Sequence, residues 1–281
     1  MTTEEIDKLF ANTLLGNYDD DAPWTAVSQI QSNGNRYIFE KADEWCRSHD
    51  PKFRSRGANI LCQLRDPRAP KHDQNTSSEP IFVEDSFNTL ARMVLGETDD
   101  DALSSELFGL GHLYKPEAVP ILVQYSGHRN EDVRFAVACS LGHFCQDPLS
   151  LEHLVRLADD PDSDVRNWAL FALGSQSEFD SKEIRDLFAS HLDDPDPDSR
   201  EEAVAGLAKR KDSRAAQPLL QLMLAGSYFS HHDLDFKALV EASDDADWGT
   251  EDFVDALYER FPELLPPREK TANNPPSSSS R

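Results

Sequence analysis

Three carboxylate–guanidinium pairs recur along this chain: Asp132 with Arg134, Asp164 with Arg166, and Asp198 with Arg200. Such a pair could serve acid–base chemistry. The same aspartate at a helix start would instead accept backbone N–H groups and suit the helix dipole. The second role is favoured, so the pairs are expected to be structural. His112 and His143 occupy equivalent positions, with Cys139 and Glu106 nearby, and these are residue types that suit zinc. The helices carrying them should stand roughly 10 Å apart, too far for easy shared ligation. The stretch DDPDSD (159–164) lacks the glycine and distal glutamate of an EF-hand loop. Cys139 has no neighbouring positive charge to lower its pKa. No catalytic residue, metal or cofactor is therefore assigned.

The elements that carry these residues follow from one repeated phrase. DVRFAVACSLG starts at Asp132, DVRNWALFALG at Asp164 and DSREEAVAGLA at Asp198, with spacings of 32 and 34 residues. A period of this size marks stacked supersecondary units. Weaker copies bring the anchors to 21, 52, 101, 132, 164, 198 and 233, with every step between 31 and 35 except the one from 52 to 101. That step holds an insertion at 66–80, DPRAPKHDQNTSSEP, which reads as a mobile loop. In DVRNWALFALG, Val165, Ala169, Ala172 and Leu173 fall at i, i+4, i+7 and i+8, the spacing of one buried helix face. The small residue midway (Gly57, Val137, Ala169, Ala203) admits a close neighbour. Second amphipathic segments such as EAVPILVQYSG and EIRDLFASHL lie between copies. The expected fold is all-α: a solenoid of about seven helical hairpins over 1–265. A cap helix at 3–15 precedes it, and a disordered tail follows at 266–281.

The D-V-R-x-x-A-x-x-A-L-G phrase at 164–174 and the PEAVPILVQ helix at 116–124 resemble the HEAT-repeat family, in its short-unit, bilin-lyase-like variety. The resemblance is strong over 100–225 and faint over 16–65 and 230–262. It implies that the helix bearing the arginine lines a concave face and its partner helix the convex one. It also implies that Asp and Arg are rungs between repeats. Ankyrin and TPR signatures are missing.

The formal net charge is −24, from 52 acidic and 28 basic side chains. That field repels nucleic acid and anionic lipid and attracts basic protein. The acids cluster just before the repeated phrase. Stacking should align them into an edge that includes Asp100, Asp160, Asp194 and Asp245, since capping explains only one aspartate per turn. Counting from each arginine position, offsets +1, +2, +5 and +9 leave the buried stripe. They give Phe108, His112, Phe135, Cys139, His143, Trp168 and Phe171 as a candidate partner-binding groove, since exposed aromatics suit protein recognition. The flanking repeats offer Ser55, Arg56 and Asn59, or Glu201, Glu202 and Ala205. Cys46, Cys62, Cys139 and Cys145 form no CxxC pair and read as reduced thiols. With no signal peptide and no long apolar run, a soluble, cytoplasmic monomer is expected.

Three functional readings follow. A non-catalytic scaffold would present the groove and acidic edge to a basic protein partner. Bacterial chains similar to DVRNWALFALG followed by DDPDPDSREEAVAGLA are thought to act as partners or antidotes of toxins, which implies an immunity-type role. The family resemblance alternatively implies a bilin lyase-like enzyme acting on phycobiliproteins, although no residue here identifies a bilin site. A HEAT-like DNA glycosylase could use Trp168, but its groove would need phosphate-binding cations where Glu201 and Glu202 stand. The scaffold is the reading the residues favour.

Overall fold

A computed structural model describes residues 1–16, 20–68, 79–226, 232–243 and 248–268. Most of the 66–80 insertion, nearly all of the 266–281 tail, and Asp245 lie outside the described residues. The chain divides into two compact units, Met1–Phe179 and Asp180–Arg281. The first contains α1 (Thr3–Thr13), α2 (Asp21–Ser32), α3 (Arg36–Trp45), α4 (Pro51–Leu61), α5 (Val83–Val94) and α6 (Asp100–His112). It continues through the single-turn α7 (Val119–Leu122), then α8 (Glu131–Gly142), α9 (Pro148–Leu157) and α10 (Ser163–Phe171). A π-helical turn, Ala172–Gln176, extends α10. The second unit contains α11 (Lys182–Ser190), α12 (Pro197–Lys209), α13 (Ala216–Ala225), α14 (Asp233–Val240) and α15 (Thr250–Arg260). This is an α-solenoid built from HEAT-like helical hairpins. The seven anchor positions all fall on the first or second residue of a helix: α2, α4, α6, α8, α10, α12 and α14.

Five of these seven helices start where a short polar side chain caps the entry. Asp50, Asp99, Asn130, Asp162 and Asp196 accept N–H groups at the starts of α4, α6, α8, α10 and α12. The capping residue is therefore not the aspartate of the repeated phrase, as expected, but the one two places earlier. Asp132, Asp164 and Asp198 sit on the second helical residue with exposed side chains, favoured there by the dipole alone.

The arginines act by a more specific device. Nη1 of Arg54, Arg134, Arg166 and Arg200 donates to the carbonyls six and five residues back, tying down the turn each helix grows from. In Arg54 and Arg134 the rest of the guanidinium reaches the next repeat. Arg54 grips Glu97 through Nε and Nη2 at 2.6 and 2.7 Å. Arg134 grips Asp160 in the same way at 2.7 and 2.8 Å. Bidentate geometry of this kind is the strong form of the ion pair. The acid in each clasp, Glu97 or Asp160, stands two residues before the cap and also accepts the cap's own N–H at 2.9 Å; Asp194 accepts the Asp196 N–H in the same way. At α6 the arginine slot holds Leu103, which is buried. The corresponding acid slot before α8 holds His128, which accepts the Asn130 N–H through Nδ1 at 3.2 Å.

Apolar packing does the rest. Ile6, Phe10, Ile30, Ile38, Ile60, Leu61 and Leu64 belong to one cluster at the N-terminal end of the first unit. Gly57 and Gly111 mark close approaches of one helix to the backbone of another. A Cβ on Gly57 would lie 2.9 Å from the Ala42 carbonyl oxygen, and one on Gly111 would lie 2.8 Å from the Ser140 Cα. Backbone N–H groups of Asp66 and Ile81 bond to the Glu79 and Leu64 carbonyls, so the ends of the insertion are drawn together. Phe188, Leu207, Leu219, Phe236, Phe253 and Leu257 are among the buried side chains of the second unit.

Candidate functional site

The aromatic residues singled out by offset come together as one ladder in the first unit. Phe108 on α6 meets Phe135 on α8 edge to face, with centroids 5.9 Å apart. Phe135 meets Trp168 on α10 at 5.9 Å, and Trp168 meets Phe171 at 5.6 Å, both T-shaped. Such edge-to-face pairs are the favoured geometry for aromatic rings. Phe108, Phe135 and Phe171 are half-buried by these mutual contacts, whereas Trp168 is 39% exposed. The ladder is thus neither core nor free surface. It is a continuous apolar strip with one open ring, Trp168, inside it.

Farther along the same helices, His112 and His143 form a second row. Their rings lie 5.4 Å apart, closer than the helix spacing suggested, and Tyr114 packs on His143 at 4.8 Å. His112 Nδ1 donates to the Phe108 carbonyl at 2.8 Å, because a carbonyl can only accept. Burial, and then the neighbouring His112, hold His143 below the usual histidine range. Cys139 lies one turn before His143, and burial pushes its thiol up, which opposes nucleophilic use. Glu106 does not join this row. Among the described residues, no group of three or more His, Cys, Asp or Glu could hold a metal.

The acidic edge needs correction. Asp160 and Asp194 are 8% and 7% exposed. Asp160 serves the Arg134 clasp, and Asp194 accepts the Asp196 N–H and lies 3.0 Å from His191 Nδ1. Asp100 is half-buried, 3.7 Å from Arg129 and 3.9 Å from His128. The exposed acids are instead Asp101, Glu131, Asp132 and Asp164, at the starts of α6, α8 and α10. Partial burial, then Glu131, Asp101, Asp162 and Asp100, raise the Asp132 carboxyl above the usual aspartate range. The exposed acids of this face thus stand mainly at the helix starts, with Asp159 exposed in the turn before α10.

The flanking residues do not extend the face as the offsets implied. Ser55, Arg56 and Asn59 are buried, with the Arg56 guanidinium 4.7 Å from the Trp24 ring centroid. In the second unit, Glu201 and Glu202 are buried, and His232 lies 3.2 Å from Glu202. Burial opposes the charge on His232, but hydrogen bonds to Asp235 and Glu202 outweigh it and raise the imidazole to about 9.

Sequence reasoning also missed a buried acid. Glu106 has no exposure, and neither of its oxygens meets a partner at hydrogen-bond geometry. Burial, and next the nearby Glu97 carboxylate, push it up to about 9, so it is protonated at neutral pH. Glu97 itself is held down to about 2: burial opposes its charge, but the Arg54 clasp and backbone N–H bonds prevail. The available signal was positional. Glu106 occupies the slot that holds Gly57, Val137, Ala169 and Ala203 in other repeats.

Capped helix pairs joined by arginine clasps define a class of stacked-hairpin repeat proteins. The family profile for HEAT repeats matches residues 89–174 and 158–229, together about half of the chain. The chain belongs to the HEAT-repeat family. It is 27% identical over 219 residues to protein YibA of Escherichia coli strain K12, covering 76% of this chain and 72% of YibA. The crystal structure of Escherichia coli YibA matches with a TM-score of 0.65 at 24% identity, over 89% of this chain and 91% of that one. It has the same fold. The CpcE–CpcF complex of phycocyanin lyase from Nostoc sp. PCC7120 is more remote, with a TM-score of 0.41 at 18% identity, over 80% of this chain and 96% of that one. Among the described residues, no helix is long and apolar enough to cross a membrane.

Proposed function

We propose that this protein is a non-catalytic interaction scaffold whose aromatic ladder and exposed acids receive a basic segment of a protein partner. The continuity of the ladder carries this reading. Four rings touch in sequence across three successive arginine-slot helices, and Trp168 keeps an open face. Exposed apolar surface of this kind contributes little to a fold and suits recognition. Asp132 and Asp164 lie three and four residues before Phe135 and Trp168, hence on the same helix faces. Charge near an apolar strip speeds encounter and fixes orientation more than it adds affinity. An antidote that masks a basic protein would be one such scaffold.

Selection from a random peptide display library tests the proposal. Wild-type protein should enrich basic sequences, and Trp168→Ala should lose at least about tenfold of that enrichment, the scale of a hot-spot truncation. Enrichment that survives both Trp168→Ala and the double change Asp132→Asn with Asp164→Asn would overturn it, as would no enrichment at all.

A further inference from the structure

We infer, on the strength of the scaffold reading, that the segment received is an extended polyproline II-type strand with a cationic side chain at every third residue. The argument begins with the ladder's lack of slots. Rings held edge to face at 5.6–5.9 Å are already in contact, so no side chain of a partner can enter between them. A partner must lie across the strip. The strip then supplies apolar contact but no register.

Register comes from the carboxylates. Asp101, Asp132 and Asp164 occupy the same position, the second helical residue, in α6, α8 and α10. All three are exposed. Packed helices stand about 8–10 Å apart, so equivalent carboxylates repeat on that scale. Chain geometry selects what can match it. In a polyproline II helix, residues i and i+3 face the same way and lie about 9.3 Å apart. In a β-strand, same-face residues are about 6.6 or 13 Å apart, and neither fits. An α-helix places i and i+4 about 6 Å apart and i and i+7 about 10.5 Å apart, the one short of that range and the other just beyond it.

The occupant's charge points the same way. Asp132 has Glu131, Asp101, Asp162 and Asp100 as acidic neighbours. The cations on this face, Arg129 and His128, stand 3.7 and 3.9 Å from Asp100. A cation at each carboxylate would relieve this crowding. A segment with spaced positive charges also favours extended conformations before binding, which lowers the ordering cost.

Two synthetic peptides of identical composition provide the test. One carries arginines at i, i+3 and i+6, the other at i, i+2 and i+4, with alanine, proline and serine elsewhere. Affinity for the full-length protein is read by fluorescence anisotropy at 50 mM salt. The three-residue spacing should bind about tenfold tighter, because each added exposed ion pair is worth roughly a two- to fivefold gain. Asp132→Asn with Asp164→Asn should remove the preference, and both side chains are exposed, so folding is expected to survive. Equal binding of the two peptides, lost in Trp168→Ala, would overturn the register while leaving the scaffold intact. No binding of either would overturn both.

Discussion

At the scale of single residues, adjacent aspartates have opposite fates. Asp159 is exposed, whereas Asp160 is buried in the Arg134 clasp. Removing one partner of a buried pair leaves the other charge uncompensated. Asp160→Ala should therefore cost about 3 kcal/mol in urea unfolding, and a change at the exposed Asp193, Asp193→Ala, less than about 0.5 kcal/mol. Equal effects would contradict the clasp. Glu106 makes the opposite case, a buried acid that destabilises. Its folded pKa of about 9 exceeds the ordinary carboxylate value. Stability tied to it is full below about pH 4.5 and is lost as pH rises through 9. Glu106→Gln should thus leave stability near pH 4.5 little changed and raise it by about 1–3 kcal/mol at pH 8. Denaturant midpoints at the two pH values check this, and a lower midpoint at pH 8 would refute it.

At the scale of elements, helix boundaries were legible because the signals are local. Asp or Asn at the cap, Pro at the first position of α4, α9 and α12, and the 3.6-residue period all lie within a dozen residues. The ladder's aspartate was misassigned by two places, since DVR looks like a cap followed by its helix. The clasp was not legible within any one repeat, because its two halves come from different ones. Arg134 and Asp160 are 26 residues apart, and Arg54 and Glu97 are 43 apart across the insertion. Aligning the copies on the cap would have exposed it, since Glu97, Asp160 and Asp194 all stand two places before one. The aromatic ladder was legible as a set of offsets, but whether its rings touched depended on how closely α6, α8 and α10 approach. That closeness can be tested at Gly111. Alanine favours a helix over glycine by about 1 kcal/mol, yet here its Cβ would meet Ser140 backbone. Overpacking of this kind costs about 1–3 kcal/mol. Gly111→Ala should lower the thermal midpoint, while Gly96→Ala, where nothing lies within 4 Å, should not. Matching shifts would argue against the tight contact.

At the scale of the whole molecule, a net charge of −24 sets the response to salt. Self-repulsion destabilises a compact chain, and salt shortens its range from about 30 Å at 0.01 M to about 8 Å at 0.15 M. The thermal midpoint should therefore rise between those concentrations, as read by calorimetry. A fall would mean that the ion-pair clasps, not the surplus acids, dominate. Within the first unit the clasps are unevenly placed. Arg54 with Glu97 joins α4 to α6, and Arg134 with Asp160 joins α8 to α10, but Leu103 leaves α6 and α8 without one. That joint relies on Gly111 against Ser140, on the Ser140 hydroxyl donating to the Leu107 carbonyl at 3.0 Å, and on the longer Asp100 contacts. Strong acid, enough to protonate Glu97 near pH 2, would slacken the joint between α4 and α6, whereas the contact of Gly111 with Ser140 has no charge to lose. Phe108 and Phe135, which straddle it, would then persist as a paired remnant after the neighbouring repeat has begun to part.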